Sequence, residues 1–300
     1  FNADGQLQSH TYPDGSTQSY NYDAGRLAKV TLPNQSEISY GNYSWMVPTQ
    51  ISTPGASKTL SYDALQRPSG IEVKTSPTTH QTAANQTAQI LMSRLYQYDA
   101  AGNITQIKSD LGQTDYGYDK LSRLIQATPD NALQTLGLPS EQYGYDQVHN
   151  RTSSGHQSGT WAYNSDNQLT QYPYLKPFTP GMRPIDTQVS YTPQGHTQKE
   201  TSSQWEKSYQ YNAAERLTKY QSTNPGQSSA QIEANYRYDP FGRRISKSVK
   251  EGATTKTIYF LYSDQGLMGE ADETGKLTKA YGFNPMAAQQ GLWSTDPIWQ

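Results

Sequence analysis

The 300-residue sequence contains no cysteine, which excludes disulfides and thiolate metal sites as the basis of its stability. It also has no long hydrophobic run. Apolar clusters such as ILM at 90–92 are far too short to span a bilayer. Its formal net charge is only −2, without a run of Lys or Arg. We therefore expect neither nucleic-acid binding nor membrane insertion by this segment.

Aliphatic residues are also scarce, since only 33% of the residues are hydrophobic and the mean hydropathy is −0.88. These values alone are typical of disorder, but the 24 tyrosines oppose that interpretation. A buried tyrosine covers on the order of 150–250 Å² and keeps a polar tip that can face water. The composition therefore predicts a folded, thin-walled protein in which tyrosine provides most of the apolar burial.

A short pattern recurs along the whole chain: a tyrosine, an Asp or Asn, a tight turn and an extended stretch. YDAAGNI (98–104), YNAAERL (211–217) and YDPFGRR (238–244) are examples, and the shortest spacings are near 18–21 residues. Phe1 begins a truncated copy. The motif tyrosines are Tyr22, Tyr62, Tyr98, Tyr118, Tyr145, Tyr163, Tyr191, Tyr211 and Tyr238, with a weaker copy at Tyr262. Such regularity indicates a repeat protein.

Each copy reads as a β-hairpin. A second aromatic residue often stands two positions before the motif tyrosine, as in YRY at 236–238, which places both rings on one face of a strand. Asp239, Pro240 and Gly242 then occupy the favoured positions of a type I turn. The glycine supplies the left-handed residue of a three-residue hairpin loop with a G1 bulge.

Several copies depart from the ideal turn. YDAGRL at 22–27 is one residue short, and Tyr40 lies in a long gap that can hide a decayed copy. Asn tolerates a left-handed slot, but Gln or Glu there costs about 1 kcal/mol. The slot is occupied by Gln66, Ser122, His149, Asn167 and Glu215.

These residues resemble the YD repeats of the RHS (rearrangement hotspot) family, whose signature is Tyr-Asp, a few residues, Gly-Arg-Leu and a polar strand. The resemblance covers essentially the whole chain. It implies an all-β fold of antiparallel β-hairpins in a curved or spiralling sheet, part of a large hollow shell. Such shells enclose toxic C-terminal segments in bacterial toxin complexes and polymorphic secreted toxins, and animal teneurins carry a similar shell.

A length estimate also favours a hollow structure. About twelve hairpins would give about 24 strands and a strip roughly 115 Å long. Side chains fill a barrel of only about eight strands. The residues that we expect to form the structural repeat motif are Tyr98, Asp99, Gly102, Tyr118, Asp119, Tyr145, Asp146, Tyr238, Asp239, Gly242 and Arg243.

We interpret residues 1–300 as a single RHS/YD-repeat region with loop insertions near 75–95 and 172–187. AANQTAQILMSRL (83–95) can form a short helix, and the four prolines of 173–184 argue against a central strand there. The chain opens inside a repeat and ends without a capping element, so we expect it to be a fragment of a longer polypeptide.

The sequence predicts no catalytic, cofactor or metal site. Its five histidines are scattered without metal-ligand spacing, and there is no GxSxG motif, P-loop or GxGxxG motif. The recurrent Asp is expected to serve the turn, because Asn replaces it in some copies. Asp296-Pro297 is similar to the self-cleaving site of the RHS family, but the following glycines are missing, so no catalytic role is assigned.

The resemblance implies a non-enzymatic shell segment of a secreted or cell-surface bacterial toxin. Its expected partners are neighbouring repeats, an enclosed toxic or unfolded C-terminal segment, and a delivery or secretion apparatus. The alternative is a module for cell-surface adhesion or carbohydrate binding through exposed aromatic residues. Of the five tryptophans, Trp161 alone occupies a motif's aromatic position.

Overall fold

A computed structural model describes residues 1–45, 47–76, 88–175, 183–227, 229–263, 266–283, 285 and 297–299. Strands make up 58% of the chain and helix 2%, which confirms the predicted all-β class. The chain divides into two compact units, 1–138 with 283–298 and 139–282 with 299–300. Hairpin repeats occur in both units, and the assignment of residues 1–300 to a single repeat region stays a prediction.

The first unit contains eleven consecutive strands and one short helix within its described residues. They are β1 (Ser9–Thr11), β2 (Thr17–Asp23), β3 (Arg26–Thr31), β4 (Glu37–Ser44), β5 (Val47–Thr53), β6 (Ala56–Tyr62), β7 (Pro68–Thr75), β8 (Ile90–Tyr98), β9 (Ile104–Ser109), β10 (Gln113–Tyr118), β11 (Leu124–Pro129) and α1 (Asn131–Thr135). From β1 to β11, each strand pairs antiparallel with the next strand along the chain.

The second unit repeats this up-and-down arrangement. Its strands are β12 (Glu141–Tyr145), β13 (Arg151–Ser154), β14 (Ala162–Tyr163), β15 (Leu169–Tyr174), β16 (Ile185–Tyr191), β17 (Thr197–Thr201), β18 (Glu206–Tyr211), β19 (Leu217–Thr223), β20 (Ile232–Tyr238), β21 (Arg244–Glu251), β22 (Thr254–Ser263), β23 (Gly266–Ala271) and β24 (Leu277–Ala280). β12 pairs with β13, and β14 to β24 pair antiparallel in chain order. Two short strands follow, β25 (Gly282–Phe283) and β26 (Pro297–Trp299).

Side chains alternate between the two faces of each sheet because successive strand residues point to opposite sides. In β20, Ala234 is buried at 3% exposure and Tyr236 is half-buried, whereas Asn235 and Arg237 are exposed. One face of this strand therefore carries the aromatic residues, and the other carries polar side chains.

The most completely buried apolar residues of the first unit lie at its N-terminal strands. Tyr20 on β2 faces Val30 on β3, which in turn faces Ile38 on β4. Their exposed fractions are 5%, 0% and 5%. This row forms a thin core across three strands, in which an aromatic ring provides much of the burial.

Two expectations about local structure are wrong. Residues 90–95 belong to β8, not to a helix, because β7 pairs along this segment and β9 also pairs with Arg94 and Leu95. Pro173 lies in the paired strand β15, opposite Asp186. β14 pairs only with Leu169 and Gln171 of β15, so Pro173 is paired on one side and its missing N–H interrupts no ladder. The remainder of both insertions, 77–87 and 176–182, lies outside the described residues.

A helix that the sequence did not predict follows β11. Asp130 caps α1 by accepting the Leu133 N–H at 3.0 Å through Oδ1. Its Oδ2 accepts the Gln113 N–H at 2.8 Å. One carboxylate therefore joins the helix to the start of β10. No helix in the described part of the chain is long and apolar enough to cross a membrane.

Candidate functional site

Most YD turns are closed by backbone bonds and by the side chain of the Asp or Asn that begins the turn. In the copy at Asp99, the Gly102 N–H donates to the Asp99 carbonyl at 3.1 Å, and the Asp99 N–H donates to the Asn103 carbonyl at 3.0 Å. Asp99 Oδ1 accepts the Asn103 N–H at 2.8 Å, and Oδ2 accepts Asn103 Nδ2 at 2.9 Å. The register shifts between Gln97 and Tyr98, as a G1 bulge requires.

Where arginine follows the turn, the same carboxylate forms an ion pair. Asp119 Oδ1 accepts the Leu121 and Arg123 N–H groups, and Oδ2 accepts Arg123 Nε at 2.6 Å. Arg243 Nε donates to Asp239 Oδ2 at 2.7 Å. Asn164 accepts the Asp166 and Gln168 N–H groups in the same way, so the turn needs an acceptor oxygen and not an acid.

The hydrogen bonds to these carboxylates lower their pKa values. For Asp99 the largest cause is the bond from the Asn103 side chain. For Asp63 and Asp119 it is the backbone N–H of the residue four positions later. The folded turns therefore favour the ionised form of these three carboxylates, so the stability of the turns depends on pH.

We expect the protein to lose stability in acid because of these turns. A carboxyl whose pKa is lowered by folding contributes its full stabilisation above the unfolded pKa of about 4, and that contribution disappears as the pH falls through the folded pKa. Urea midpoints measured between pH 6 and pH 2 should therefore decrease, and less steeply in Asp119→Asn, which keeps the acceptor but cannot titrate. Equal pH slopes in both proteins would show that Asp119 does not contribute.

The left-handed slot, three residues after the Asp or Asn of the turn, has a positive φ even where glycine is absent. Gly102 and Gly242 have φ values of 90° and 86°. The non-glycine residues of the slot have φ values between 58° and 71°, namely Gln66, Ser122, His149, Asn167 and Glu215. The turn therefore imposes its geometry on residues that disfavour it.

Changing the slot residue should alter stability in opposite directions at two positions. Gly242→Val forces a β-branched residue into φ 86°, so we expect a loss of more than about 1 kcal/mol. Glu215→Gly removes the strain of a non-glycine residue at φ 61°, so the free energy of unfolding should rise by up to about 1 kcal/mol. Thermal unfolding of both variants measures the difference. A Gly242→Val protein with wild-type stability would contradict the turn assignment.

Two weak copies adopt other solutions. YDAGRL closes as a two-residue hairpin, in which Ala24 and Gly25 both have positive φ values, 47° and 77°. This is the requirement of a type I′ turn. A further copy does lie in the gap between Tyr22 and Tyr62, but Tyr43 takes the motif position and not Tyr40, because the Tyr43 hydroxyl donates to the Leu27 carbonyl.

The motif tyrosines join each hairpin to the preceding one. The Tyr118 hydroxyl donates to the Ile104 carbonyl at 2.8 Å, and the Tyr238 hydroxyl donates to the Leu217 carbonyl at 2.8 Å. The acceptor is always the residue two positions after the left-handed slot of the preceding copy. Besides Tyr43, the donors are Tyr22, Tyr98, Tyr118, Tyr163, Tyr191, Tyr211, Tyr238 and Tyr262, at 2.7–3.0 Å.

Sequence reasoning assigned these rings to packing and missed the tyrosine hydroxyl ladder, as we call these inter-hairpin bonds. The available signal was the constant motif itself, in which tyrosine appears where phenylalanine would pack equally well. A hydroxyl at the same position in every copy after the truncated one at Phe1 indicates a shared hydrogen bond.

Removing one hydroxyl of the ladder should weaken the joint between two hairpins. We expect Tyr118→Phe to cost about 1 kcal/mol of unfolding free energy, because the Ile104 carbonyl loses its donor. Tyr116 lies two residues earlier on the same face of β10, so Tyr116→Phe is a matched control with a small expected effect. Urea unfolding measures both, and equal losses would contradict the ladder.

Neighbouring turns also contact one another in both units. Asn103 Nδ2 donates to Ser122 Oγ at 3.1 Å in the first unit, and Asn150 Nδ2 donates to Asn167 Oδ1 at 3.1 Å in the second. Arg67 lies over the Tyr98 ring, with its Cζ 4.3 Å from the ring centroid. The turns are therefore stacked side by side.

The predicted motif residues of one copy lie together in one hairpin turn. The Tyr98-Asp99-Gly102 copy and the Tyr118-Asp119 copy are direct neighbours through the bonds described above. In the second unit, the copy at Tyr145 and Asp146 is separated by several hairpins from the copy at Tyr238, Asp239, Gly242 and Arg243. The stabilising role of these residues stays a prediction, which the variants above test.

A polar network on β15, β17 and β18 was also absent from the sequence expectations. Glu200 accepts hydrogen bonds from the hydroxyls of Tyr209 at 2.8 Å and Tyr172 at 3.1 Å, and from Lys207 Nζ at 3.2 Å. Burial is the largest cause of the raised pKa of each tyrosine, and the interactions of the tyrosine with Glu200 raise it further. The carboxylate thus joins three strands of the aromatic face.

Trp161 and Trp205 of the second unit are poorly arranged for flat stacking against a sugar. Arg151 lies over the Trp161 ring with its Cζ 4.0 Å from the centroid, and Lys207 lies 5.1 Å from that of Trp205. Tyr174 meets Trp205 edge to face at 4.6 Å. Cations and a neighbouring ring already occupy these aromatic surfaces.

His149 and His196 occupy structural surroundings. His149 fills a turn slot, and His196 stacks on Tyr211 at 4.8 Å with its Nε2 3.5 Å from Glu215 Oε2. Within the part of the chain that the structure describes, no group of three His, Cys, Asp or Glu side chains could hold a metal ion. Asp296 lies outside the described residues.

Comparison with known proteins gives two family matches. The Teneurin YD-shell model matches residues 81–268 and the RHS Repeat model matches residues 1–37. Double-stranded DNA deaminase toxin A of Burkholderia cenocepacia (strain H111) is 26% identical over 217 residues, which cover 68% of this chain and 13% of that protein. The crystal structure of TcdB2-TccC3 is similar with a TM-score of 0.40 and 17% identity, covering 95% of this chain and 18% of that chain.

The antiparallel hairpins, their acidic turns and the tyrosine hydroxyl ladder define a YD-repeat β-hairpin protein. The chain belongs to the teneurin YD-shell family, whose model matches more than half of it. The predicted RHS/YD-repeat resemblance is thereby confirmed. The chain spans about one eighth of the curated relative and less than a fifth of the solved chain.

Proposed function

We propose that this chain is a section of the wall of a hollow, non-enzymatic shell that encloses a toxic or unfolded C-terminal segment of a bacterial toxin. The observation that carries this proposal is the tyrosine hydroxyl ladder. It joins one hairpin to the next by the same bond in nine described copies, a design that suits continuous walls of any length. The family membership and the name of the toxin relative support it.

We assign the turn carboxylates of the wall a structural role and no catalytic one. The turn carboxylates are bound to backbone N–H groups, and Asn takes their place in some copies, so they serve geometry. Only 13% of the deaminase toxin is matched, and deamination is therefore not assigned to this chain. We place the parent protein outside the bacterial cell or on its surface, with neighbouring repeats and a delivery apparatus as further partners.

Electron microscopy of the full parent polypeptide tests encapsulation. We expect a closed shell with density inside it, and protection of the enclosed segment from added protease. The control is the parent carrying Tyr118→Phe and Tyr238→Phe, which removes two bonds of the ladder and should make the same segment cleavable. A solid particle, or an extended one whose C-terminal segment is cleaved at once, would overturn the proposal.

A further inference from the structure

Two tyrosines face each other directly across β18 and β19. Tyr209 pairs with Tyr220 in the strand register, and their ring centroids are 5.4 Å apart at an interplanar angle of 52°. Aromatic rings in contact have centroids about 4.5–7 Å apart, so these two rings touch. Both are half-buried on the aromatic face, which leaves each of them partly open to solvent.

This pairing is not a general property of the repeat. Tyr209 stands two positions before a motif tyrosine, and tyrosines at the same position of other copies face residues of other types. Tyr116 faces Ala127, and Tyr236 faces Lys247. The hairpin therefore does not require a second tyrosine across the strands from this position.

Glu200 provides a proton acceptor for the Tyr209 hydroxyl. Its Oε1 accepts the hydrogen bond of Tyr209 at 2.8 Å, a distance at which a proton can transfer. Its Oε2 accepts hydrogen bonds from Tyr172 at 3.1 Å and from Lys207 at 3.2 Å, and both contacts hold the carboxylate in place. The Glu200 side chain is only 17% exposed, so it meets Tyr209 largely out of bulk water.

This contact couples the loss of the Tyr209 proton to the loss of an electron. Burial, followed by the hydrogen bond and the charge of Glu200, raises the pKa of Tyr209, so the phenol keeps its proton at neutral pH. A phenol that has lost one electron is a strong acid, and its proton then moves along the existing hydrogen bond to Glu200. The product is a neutral tyrosyl radical beside the Tyr220 ring.

We propose that Tyr209 and Tyr220 form an oxidative modification site, at which a covalent dityrosine bond joins β18 to β19. Each phenol loses one electron and one proton; the Tyr209 proton passes to solvent through Glu200, and the Tyr220 proton passes to solvent directly. The two radicals join through ring carbons ortho to the hydroxyls, and the hydrogens of those carbons move to the oxygens, which restores both phenols. Hydrogen peroxide activated by a haem peroxidase takes up the two electrons and two protons and becomes two water molecules.

The bond supplies a covalent crosslink to a chain that cannot form a disulfide. The sequence has no cysteine, so disulfides cannot reinforce it in an oxidising environment. Tyr172 also donates to Glu200, but it faces Thr187 across the strands and not a second tyrosine. The geometry therefore favours the Tyr209–Tyr220 pair within this network. The inference is independent of the proposed shell function.

Treatment of the 300-residue chain with a haem peroxidase and hydrogen peroxide tests the proposal. Trypsin cleaves after Lys and Arg, so Tyr209 lies in the peptide 208–216 and Tyr220 in the peptide 220–237. We expect mass spectrometry to find these two peptides joined with the loss of two hydrogens, in chains that remain monomeric and show dityrosine fluorescence. Dilution of the chain should leave the yield unchanged, because the bond is intramolecular.

Four variants separate the pair from its surroundings. Tyr209→Phe and Tyr220→Phe each keep a ring but should abolish the joined peptides. Tyr211→Phe removes the other tyrosine of the first peptide and is the matched control with no expected change, since Tyr211 faces Leu217. Glu200→Gln keeps an acceptor oxygen but cannot take up the proton, so crosslinking should slow by about tenfold or more.

Three results would overturn the inference: no joined peptides from the wild-type chain, the same yield from Tyr209→Phe as from the wild type, or crosslinks formed only between chains. An unchanged rate in Glu200→Gln would overturn the role of Glu200 as the proton acceptor. Thermal unfolding of each variant shows that it is folded at the temperature of the reaction, which excludes misfolding as the cause of a loss.

Discussion

Tyr20→Ala is expected to destabilise the first unit by about 3–5 kcal/mol, the range for truncating a buried aromatic ring. Tyr20 is 5% exposed, and its partner Val30 is fully buried, so no neighbouring side chain is free to fill the space. Burial also raises the pKa of Tyr20. The thin core of this unit has few other aromatic or aliphatic residues to share the loss.

Tyr20→Phe is the matched control, since it keeps the ring and removes only the hydroxyl. No described residue hydrogen-bonds that hydroxyl, so we expect a change below about 0.5 kcal/mol. Hydrogen exchange of the β2, β3 and β4 amides localises the effect, and urea unfolding gives its size. A loss below about 1 kcal/mol in Tyr20→Ala would mean that the burial of this ring does not hold the strands together.

The turns could be predicted because their information is local. Asp239, Pro240 and Gly242 specify a type I turn within four residues, and the bulge follows from that turn. Even Glu215, a poor residue for the slot, adopts φ 61° because the flanking strands dictate it. Ten imperfect copies in one register therefore predicted the fold class better than any single copy.

Features that depend on a partner strand could not be predicted. Residues 90–95 have helix-forming side chains, yet the backbone groups of β7, and of β9 from Arg94 onward, hold them extended. Pro173 is tolerated in a strand because the pairing of β14 with β15 reaches only Gln171. Glu200 accepts a hydrogen bond from Tyr172, which lies on another strand 28 residues away. None of these contacts leaves a pattern near the residue concerned.

The tyrosine hydroxyl ladder lies between these two extremes. Its donor is visible in the motif, but its acceptor is a backbone carbonyl, which any residue supplies. Ile104, Leu217 and Arg244 all serve as acceptors. Consequently the sequence of the acceptor position is free to vary, and only the spacing between slot and acceptor is constant.

Gly112→Val should be among the most damaging glycine substitutions in the described chain, with an expected loss of about 3 kcal/mol. The residue has φ 150°, which side chains rarely adopt at a cost of about 1–3 kcal/mol. A Cβ there would lie 2.6 Å from Asp130 Oδ1 and 2.7 Å from Leu133 Cγ. Moving Asp130 away would remove the cap of α1, worth about 1 kcal/mol, and its bond to Gln113.

Gly137→Val separates backbone strain from the clash. Gly137 also has a positive φ, 94°, but nothing lies within 4 Å of its Cβ position, so strain alone should cost about 1–2 kcal/mol. Thermal unfolding of the two variants and of Asp130→Ala completes the comparison. If Gly112→Val loses no more stability than Gly137→Val, Asp130 moves away from the new side chain without cost and does not fix α1 to β10. A larger loss assigns the difference to that carboxylate and its two backbone bonds.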